Sequence, residues 1–199
     1  MRSRVDLALL TAPAGPAREA LVDVEHELRR ASQLLGELLL LARTDAEPFT
    51  GHLARGFLDD VALTALRAWR VPAASAGVTL GASVVDETPA HMDATLMERL
   101  AGILLDNAIR YTPPGGTVDL QVFPEGGRAV LEVHDSGVGI PPADRERVFE
   151  RFYRGAEARR LQPEGSGLGL SIARWIAERH EGRLTLARRE GGGAVARLE

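Results

Sequence analysis

The chain has 199 residues, 45% of them hydrophobic and 26% charged, a globular balance with room for a well-buried domain of about 100–150 residues and an appendage. Its net charge of -4 argues against nucleic acid or an anionic membrane as the main partner, and the absence of Cys excludes disulfides and thiolate metal sites. All 24 basic residues are Arg, so a Walker-type phosphate loop, which needs Gly-Lys-Ser/Thr, is excluded too.

At the start, "RSRVDLALL" places Val5, Ala8 and Leu9 at helical spacing and then meets "TAPAGP", whose prolines and glycine break a helix and turn the chain. From Ala17 to Arg43, apolar residues recur at Leu21, Val24, Leu28, Ala31, Leu35, Leu38 and Ala42. Steps of alternately three and four are the seam of a helix in a coiled coil or bundle. Residues 1–46 are therefore expected to be the tail of one helix, a hairpin and a second helix, with a surface helix on the main domain as the plainer alternative. "TDAEPFTG", at 44–51, reads as the linker to a second domain spanning 47–199.

In that domain, 58–76 and 93–112 read as helices, and "GVTLGASVV" between them as a strand. "TVDLQVFPEGGRAVLEVHDSG" has two alternating stretches around Pro124–Gly127, a hairpin pattern. A polar segment with Pro and Gly covers 141–166, helix 167–180 follows, and a second hairpin turns at Gly191–Gly193. The predicted fold is α+β: a two-layer sandwich with a mixed, mainly antiparallel sheet, covered by helices on one face and preceded by a helical hairpin.

Three clusters carry chemistry. In "LLDNAIRYTPPGG", Asn107 interrupts an apolar helix face, where an amide needs a partner. Its carbonyl oxygen is a hard ligand suited to Mg²⁺ shared with nucleotide phosphates, although a structural hydrogen bond explains it as readily. Arg110, one turn on, could reach the same phosphates, and Tyr111 could lie against an aromatic ring. In "DSGVGIPP", Gly137 and Gly139 let backbone approach a flat ligand, and Asp135 behind them could accept from an exocyclic amine such as that of adenine; a capping turn is the alternative. In "GSGLGLSIARWIAERH", three glycines lead into an amphipathic helix, whose N-terminus favours anions. Between the last two clusters, "RVFERFYRG" puts Phe149, Phe152 and Tyr153 into a segment with loop composition, a pattern fitting either a lid with docking aromatics or a short core helix.

Together these motifs resemble the catalytic, ATP-binding domain of sensor histidine kinases, in the superfamily shared with gyrase, Hsp90 and MutL. "LLDNAIRYT" is similar to the N box, "DSGVGI" to the G1 box, "FERFYR" to the F box and "GSGLGL" to the G2 box, all in family order. The resemblance implies Asn107 as Mg²⁺ ligand and Asp135 as adenine anchor, with Gly137, Gly139 and Ile140 in the base-binding loop. It implies Arg110 and Arg154 near the phosphates and Tyr111 beside the base. Gly165, Gly167, Leu168 and Gly169 would form the lid hinge around the triphosphate. ATP and Mg²⁺ are the implied cofactors. The implied partners are an acceptor helix and a response regulator, with a possible homodimer through 1–46. The implied setting is the cytoplasm, in a membrane-anchored parent.

Two departures matter. Where many family members have a second Asn, and the ATPase relatives the Glu that activates water, this chain has Ile103, which argues against direct ATP hydrolysis. The usual Lys of the N box is Arg110, which prefers a forked geometry. The tempting acceptor is His26, in "VEHELRR". The family's His-Glu-x-x-Thr-Pro box has Arg30 and Ala31 at its last two places here. His26 also follows the hairpin turn instead of preceding it. It is read as a decoy, with the acceptor expected upstream of Met1. His52, His91, His134 and His180 show no metal-ligand spacing and read as surface or packing residues.

Overall fold

The computed structural model describes residues 15–18, 20–24, 28, 31, 36, 53–163, 165–189 and 191–199. The chain divides into two compact units, Met1–Pro48 and Phe49–Glu199. In the first, residues 16–18, 20–24, 28, 31 and 36 are helical, which includes the seam positions Leu21, Val24, Leu28 and Ala31. His26, residues 11–14 of the "TAPAGP" turn and the rest of the seam lie outside the described residues; Pro16 of that turn begins the helix, and the Gly15 carbonyl accepts from the Arg18 N–H at 2.9 Å.

The second unit opens with strand β1 (Ala54–Phe57), helix α1 (Leu58–Ser75), and strands β2 (Thr79–Val85) and β3 (Pro89–Met92). Helix α2 (Ala94–Arg110) and strands β4 (Thr117–Glu125) and β5 (Arg128–Asp135) follow. Two 3₁₀ turns, Pro142–Asp144 and Arg147–Phe149, and helix α3 (Ala156–Leu161) lead to helix α4 (Gly169–Arg179). Strands β6 (Leu184–Arg188) and β7 (Ala194–Leu198) complete it.

The main sheet has the order β2-β4-β5-β7-β6. β2 and β4 are parallel, and the other pairs are antiparallel, so the mixed, mainly antiparallel sandwich is what forms. The β1–β3 ribbon, antiparallel and separate, is an addition to the predicted elements. Each of its strands has only four residues, "ARGF" and "PAHM", too short for an alternating pattern to register.

Helix α1 buries Leu58, Val61, Ala62, Ala65 and Leu66, a stripe at helical spacing. Asp59 and Asp60 occupy its first turn, the favourable end for negative charge. Helix α2 is capped by Asp93, whose side chain accepts from the Leu96 N–H at 3.1 Å. It buries Met97, Leu100, Ala101, Leu104, Leu105, Ala108 and Ile109. Helix α4 adds Ile172, Ala173, Ile176 and Ala177. His180 fixes the ends of two helices together: its Nδ1 is 2.7 Å from the Ile176 carbonyl oxygen, and its Nε2 accepts from the Asp93 N–H at 3.0 Å.

Strand alternation sorts the sheet. Val118, Leu120 and Val122 of β4 and Leu131 and Val133 of β5 are fully buried. The intervening face is polar: Arg197 pairs with Glu132 at 2.6 Å, with Glu199 at 3.4 Å and with Glu125. His134 meets Glu132 at 2.6 Å. Helices cover one face, and the charged face meets water. The same period of two carries Asp135, at the end of β5, to the inward side with Leu131 and Val133. That placement puts a carboxyl group at the rim of the core.

Candidate functional site

Asp135 is 9% exposed. Its Oδ1 accepts from the Gly137 N–H at 2.8 Å and from the Ala194 N–H at 3.1 Å, so Oδ2 is the atom left for a ligand. Burial pushes the carboxyl pKa up, a pull that outweighs those two hydrogen bonds and the positive charges of Arg189 and His134. Arg189 also reaches the Asp135 backbone carbonyl at 3.4 Å.

The loop after Asp135 is packed too closely for side chains. A Cβ on Gly137 would collide with the Tyr111 carbonyl oxygen, which itself accepts from the Val138 N–H at 3.3 Å. Gly139 has φ 71°, and its Cβ would lie 2.9 Å from the Gly193 carbonyl oxygen. Gly193, at φ 87°, would drive a Cβ into the Asp135 carbonyl. At Gly139 and Gly193 glycine is required by both space and backbone angle, and at Gly137 by space alone. Ile140 is partly exposed in the same loop, and Tyr111 caps α2 beside it.

Asn107 has the partner that its place on an apolar helix demands. Its Nδ2 donates to the Ile103 carbonyl at 3.0 Å. That bond fixes the amide and leaves the carbonyl oxygen, Oδ1, as its outward acceptor. The start of α4 packs directly above: a Cβ on Gly169 would lie 3.3 Å from Ile103 Cγ2 and 3.8 Å from Asn107 Nδ2. The first N–H groups of a helix have no partner within it, so α4 presents donors next to Asn107. Arg110, at the end of α2, is held by Asp106 through Nε–Oδ1 at 2.7 Å. Leu168 is 1% exposed, so its side chain belongs to the core and only its backbone can meet a ligand.

In 147–155, only Arg147–Phe149 is helical, as a 3₁₀ turn. Phe149 is buried, and the Arg174 guanidinium of α4 lies 5.2 Å from its ring centre. Tyr153 donates to Asp144 at 2.7 Å and carries Arg147 over its ring at 4.2 Å. Phe152 is 65% exposed at φ 63°, a conformation that costs a non-glycine residue about 1–2 kcal/mol. It is pinned there by its N–H donating to the Gly167 carbonyl at 3.0 Å. A Cβ on Gly167 would lie 2.8 Å from the Phe152 carbonyl carbon.

Arg154, expected near phosphates, is turned inward in this structure. Its guanidinium donates to the Pro163 carbonyl at 2.8 Å, to that of Ala158 at 3.0 Å, and to that of Gln162. It staples the end of α3, with Gly165 against it.

The matching family model is that of the histidine kinase-, DNA gyrase B-, and HSP90-like ATPases, aligned over residues 92–199. The chain belongs to that family. Within it, the chain is similar to sensor histidine kinases. The sensor histidine kinase RppB of Synechocystis sp. is 34% identical over 177 residues, which are 88% of this chain and 39% of RppB. The mycobacterial sensor histidine kinase MprB superposes at TM-score 0.64 with 28% identity, over 73% of this chain and 95% of that structure. Full-length ShkA, solved with AMPPNP, superposes at TM-score 0.77 with 22% identity, over 98% of this chain and 40% of ShkA, a likeness of fold. The chain spans less than half the length of the curated relatives it matches.

In this histidine kinase-like domain, the N-box residue Asn107 and the first G2-box helix turn at Gly169 are neighbours, and the G1 loop packs on Tyr111 at the other end of the same floor. Three contributors escaped the sequence reading: Gly193 and Ala194, which back the Asp135 carboxyl, and Arg189. A bare glycine triplet reads as a turn, and nothing local marks it as lying against a residue almost sixty positions earlier. No helix among the described residues is long and apolar enough to cross a membrane.

Proposed function

We propose that this chain is the ATP- and Mg²⁺-binding catalytic part of a sensor histidine kinase, passing the γ-phosphoryl group of ATP to a histidine on an acceptor helix. The observation that carries this reading is Asp135: a buried carboxyl with one oxygen held by two backbone N–H groups and the other left for a ligand. An exocyclic amine is a matching donor, and the glycine loop, packed backbone to backbone on Tyr111 and Gly193, fixes the wall beside that carboxyl. The AMPPNP complex of ShkA supports an adenine nucleotide as the occupant.

Asn107 fits a Mg²⁺ role, because its Nδ2 bond to Ile103 leaves a hard oxygen available, and Mg²⁺ uses few protein ligands when phosphates and water complete its shell. Bound there, the ion would neutralise phosphate charge. The chain's own residues then have a positioning task. Asp135 fixes the base, the start of α4 meets phosphate oxygens, and Arg110 offers its forked donors. Phosphoryl transfer depends mainly on such positioning and charge neutralisation. An imidazole nitrogen of the acceptor attacks the γ-phosphorus, the bond to the bridging oxygen breaks, and ADP departs with that oxygen. Ile103 offers no carboxylate to activate water, which favours transfer over hydrolysis. The acceptor helix is supplied by the parent chain or in trans, a response regulator receives the phosphoryl group, and residues 1–46 would contribute to a dimer.

Incubation with γ-labelled ATP and an acceptor-bearing partner tests the proposal, with label expected on the partner's histidine. The alternative is a nucleotide-binding regulatory module, favoured by Ile103 in place of a second amide. Tight ATP binding with no transfer to any cognate acceptor would establish that reading, and steady phosphate release would point to an ATPase.

A further inference from the structure

Asp106 has no role in the site as described so far, yet it is the only partner of the Arg110 guanidinium among the described residues. The pair is one helical turn apart, with the acid on the N-terminal side, the favourable orientation for such pairs. Its atoms are Arg110 Nε and Asp106 Oδ1, 2.7 Å apart, with side-chain exposures of 43% and 24%. A surface pair of this kind contributes little to stability. A carboxylate beside a polyphosphate site would by itself repel the ligand. Both points ask for another reason for Asp106.

The atoms supply it. Arg has five N–H donors in a rigid plane, one on Nε and two on each Nη. Asp106 takes the inner one and leaves both Nη groups, the end that can grip a phosphate through two parallel bonds. Lys could not divide itself this way: its single ammonium would serve the carboxylate or the phosphate as one point charge. An Asp at 106 is thus compatible with Arg at 110 and competes with a Lys there.

We infer that Asp106 is a positioning residue that holds the Arg110 guanidinium by Nε so that its forked end faces the nucleotide phosphates. The inference rests on the proposed phosphate role of Arg110. Asp106 and Arg110 then act as one unit, beside Asn107 on the last turns of α2.

Binding of ADP and of adenosine to the 199-residue protein, measured by calorimetry with Mg²⁺, tests it, with thermal melts to show that each variant folds. Asp106→Ala should weaken ADP by about 3–10-fold and leave adenosine unchanged, the scale of one lost charge-assisted contact. Arg110→Lys should weaken ADP comparably, because Asp106 captures the ammonium. Adding Asp106→Ala to Arg110→Lys should then recover ADP affinity relative to Arg110→Lys alone, which a merely structural Asp106 would not produce. ADP affinity that is unchanged or tighter in Asp106→Ala overturns the inference, as does a double variant no better than Arg110→Lys. Arg110→Ala separates the two levels. If it leaves the ADP-to-adenosine ratio unchanged, the phosphate role of Arg110 fails, and the role of Asp106 with it. If Arg110→Ala lowers that ratio and Asp106→Ala does not, only the positioning role fails.

Discussion

The two ends of the proposed nucleotide site are built differently. The base end is made of backbone: Gly137 against the Tyr111 carbonyl, Gly139 against Gly193, and two N–H groups on one oxygen of Asp135. The proposed phosphate end is made of side chains and a segment with its own internal bonds. There Arg154 holds three carbonyls of its own segment and Phe152 is turned outward at a strained angle. A wall of backbone contacts cannot yield to a new methyl group, whereas side-chain bonds exchange partners readily. The contrast suits a ligand whose base is held fixed while its phosphates are delivered elsewhere.

The sharpest way to break that contrast is Gly137→Ala. Its methyl group has no space beside Tyr111, so ADP affinity should fall at least about 100-fold, and overpacking should cost about 1–3 kcal/mol of stability in denaturant titration. Affinity within a few-fold of the parent would show the base wall to be pliable.

Asp135→Asn comes next. The amide can present its oxygen to the Gly137 and Ala194 N–H groups, which leaves an NH₂ facing the amine of the base. Adenine nucleotide binding should drop by about 10- to 100-fold, the result of an unmatched buried donor. Stability should respond in the opposite sense at neutral pH. Burial raises the Asp135 pKa, so stability linked to its protonated form is fully present below the ordinary value of 3.8. It is lost as pH rises through the folded-state value. The variant has no such loss, so its stability relative to the parent should grow as pH rises across that window, as read by pH-dependent denaturant melts.

Arg154→Ala probes the other end. Removing the staple should speed proteolysis between Ala156 and Gln162 while changing adenosine affinity by less than about two-fold, because local opening leaves the distant base wall intact. Equal losses for base and phosphate binding would merge the two ends into one rigid body. The smallest effect is expected from His26→Ala: ADP affinity and phosphoryl transfer in trans should both stay within error of the parent, in binding and labelling assays.

What could be read from the sequence follows the same division. The helices and the strands of the main sheet announce themselves through periods of 3.6 and two, as in Leu100–Leu104–Ala108 and in Leu131–Val133. Asn107, Asp135 and the G2 glycines stand out because a polar or Cβ-less residue interrupts such a pattern. Contacts that bridge distant segments leave no local trace: Ala194 on Asp135, Gly193 on Gly139, and His180 across to Asp93. The inward turn of Arg154 was equally hidden, since a cation in a polar segment fits a phosphate or three carbonyls alike. The β1–β3 ribbon was missed for a simpler reason, its four-residue strands.

The Ala194 N–H on Asp135 has one more consequence. β7 enters the sheet between β5 and β6, so the acid proposed to hold the base acquires its second support only when the last strand has been laid beside the fifth. On the proposed function, recognition of the base is therefore a property of the completed sheet, not of the loop that carries the Asp-Ser-Gly motif. A nucleotide bound there selects the fully assembled sheet over every form with β7 detached, and by mass action raises the free energy needed to peel that strand away. Occupancy of the proposed site and attachment of the last strand would then report on each other.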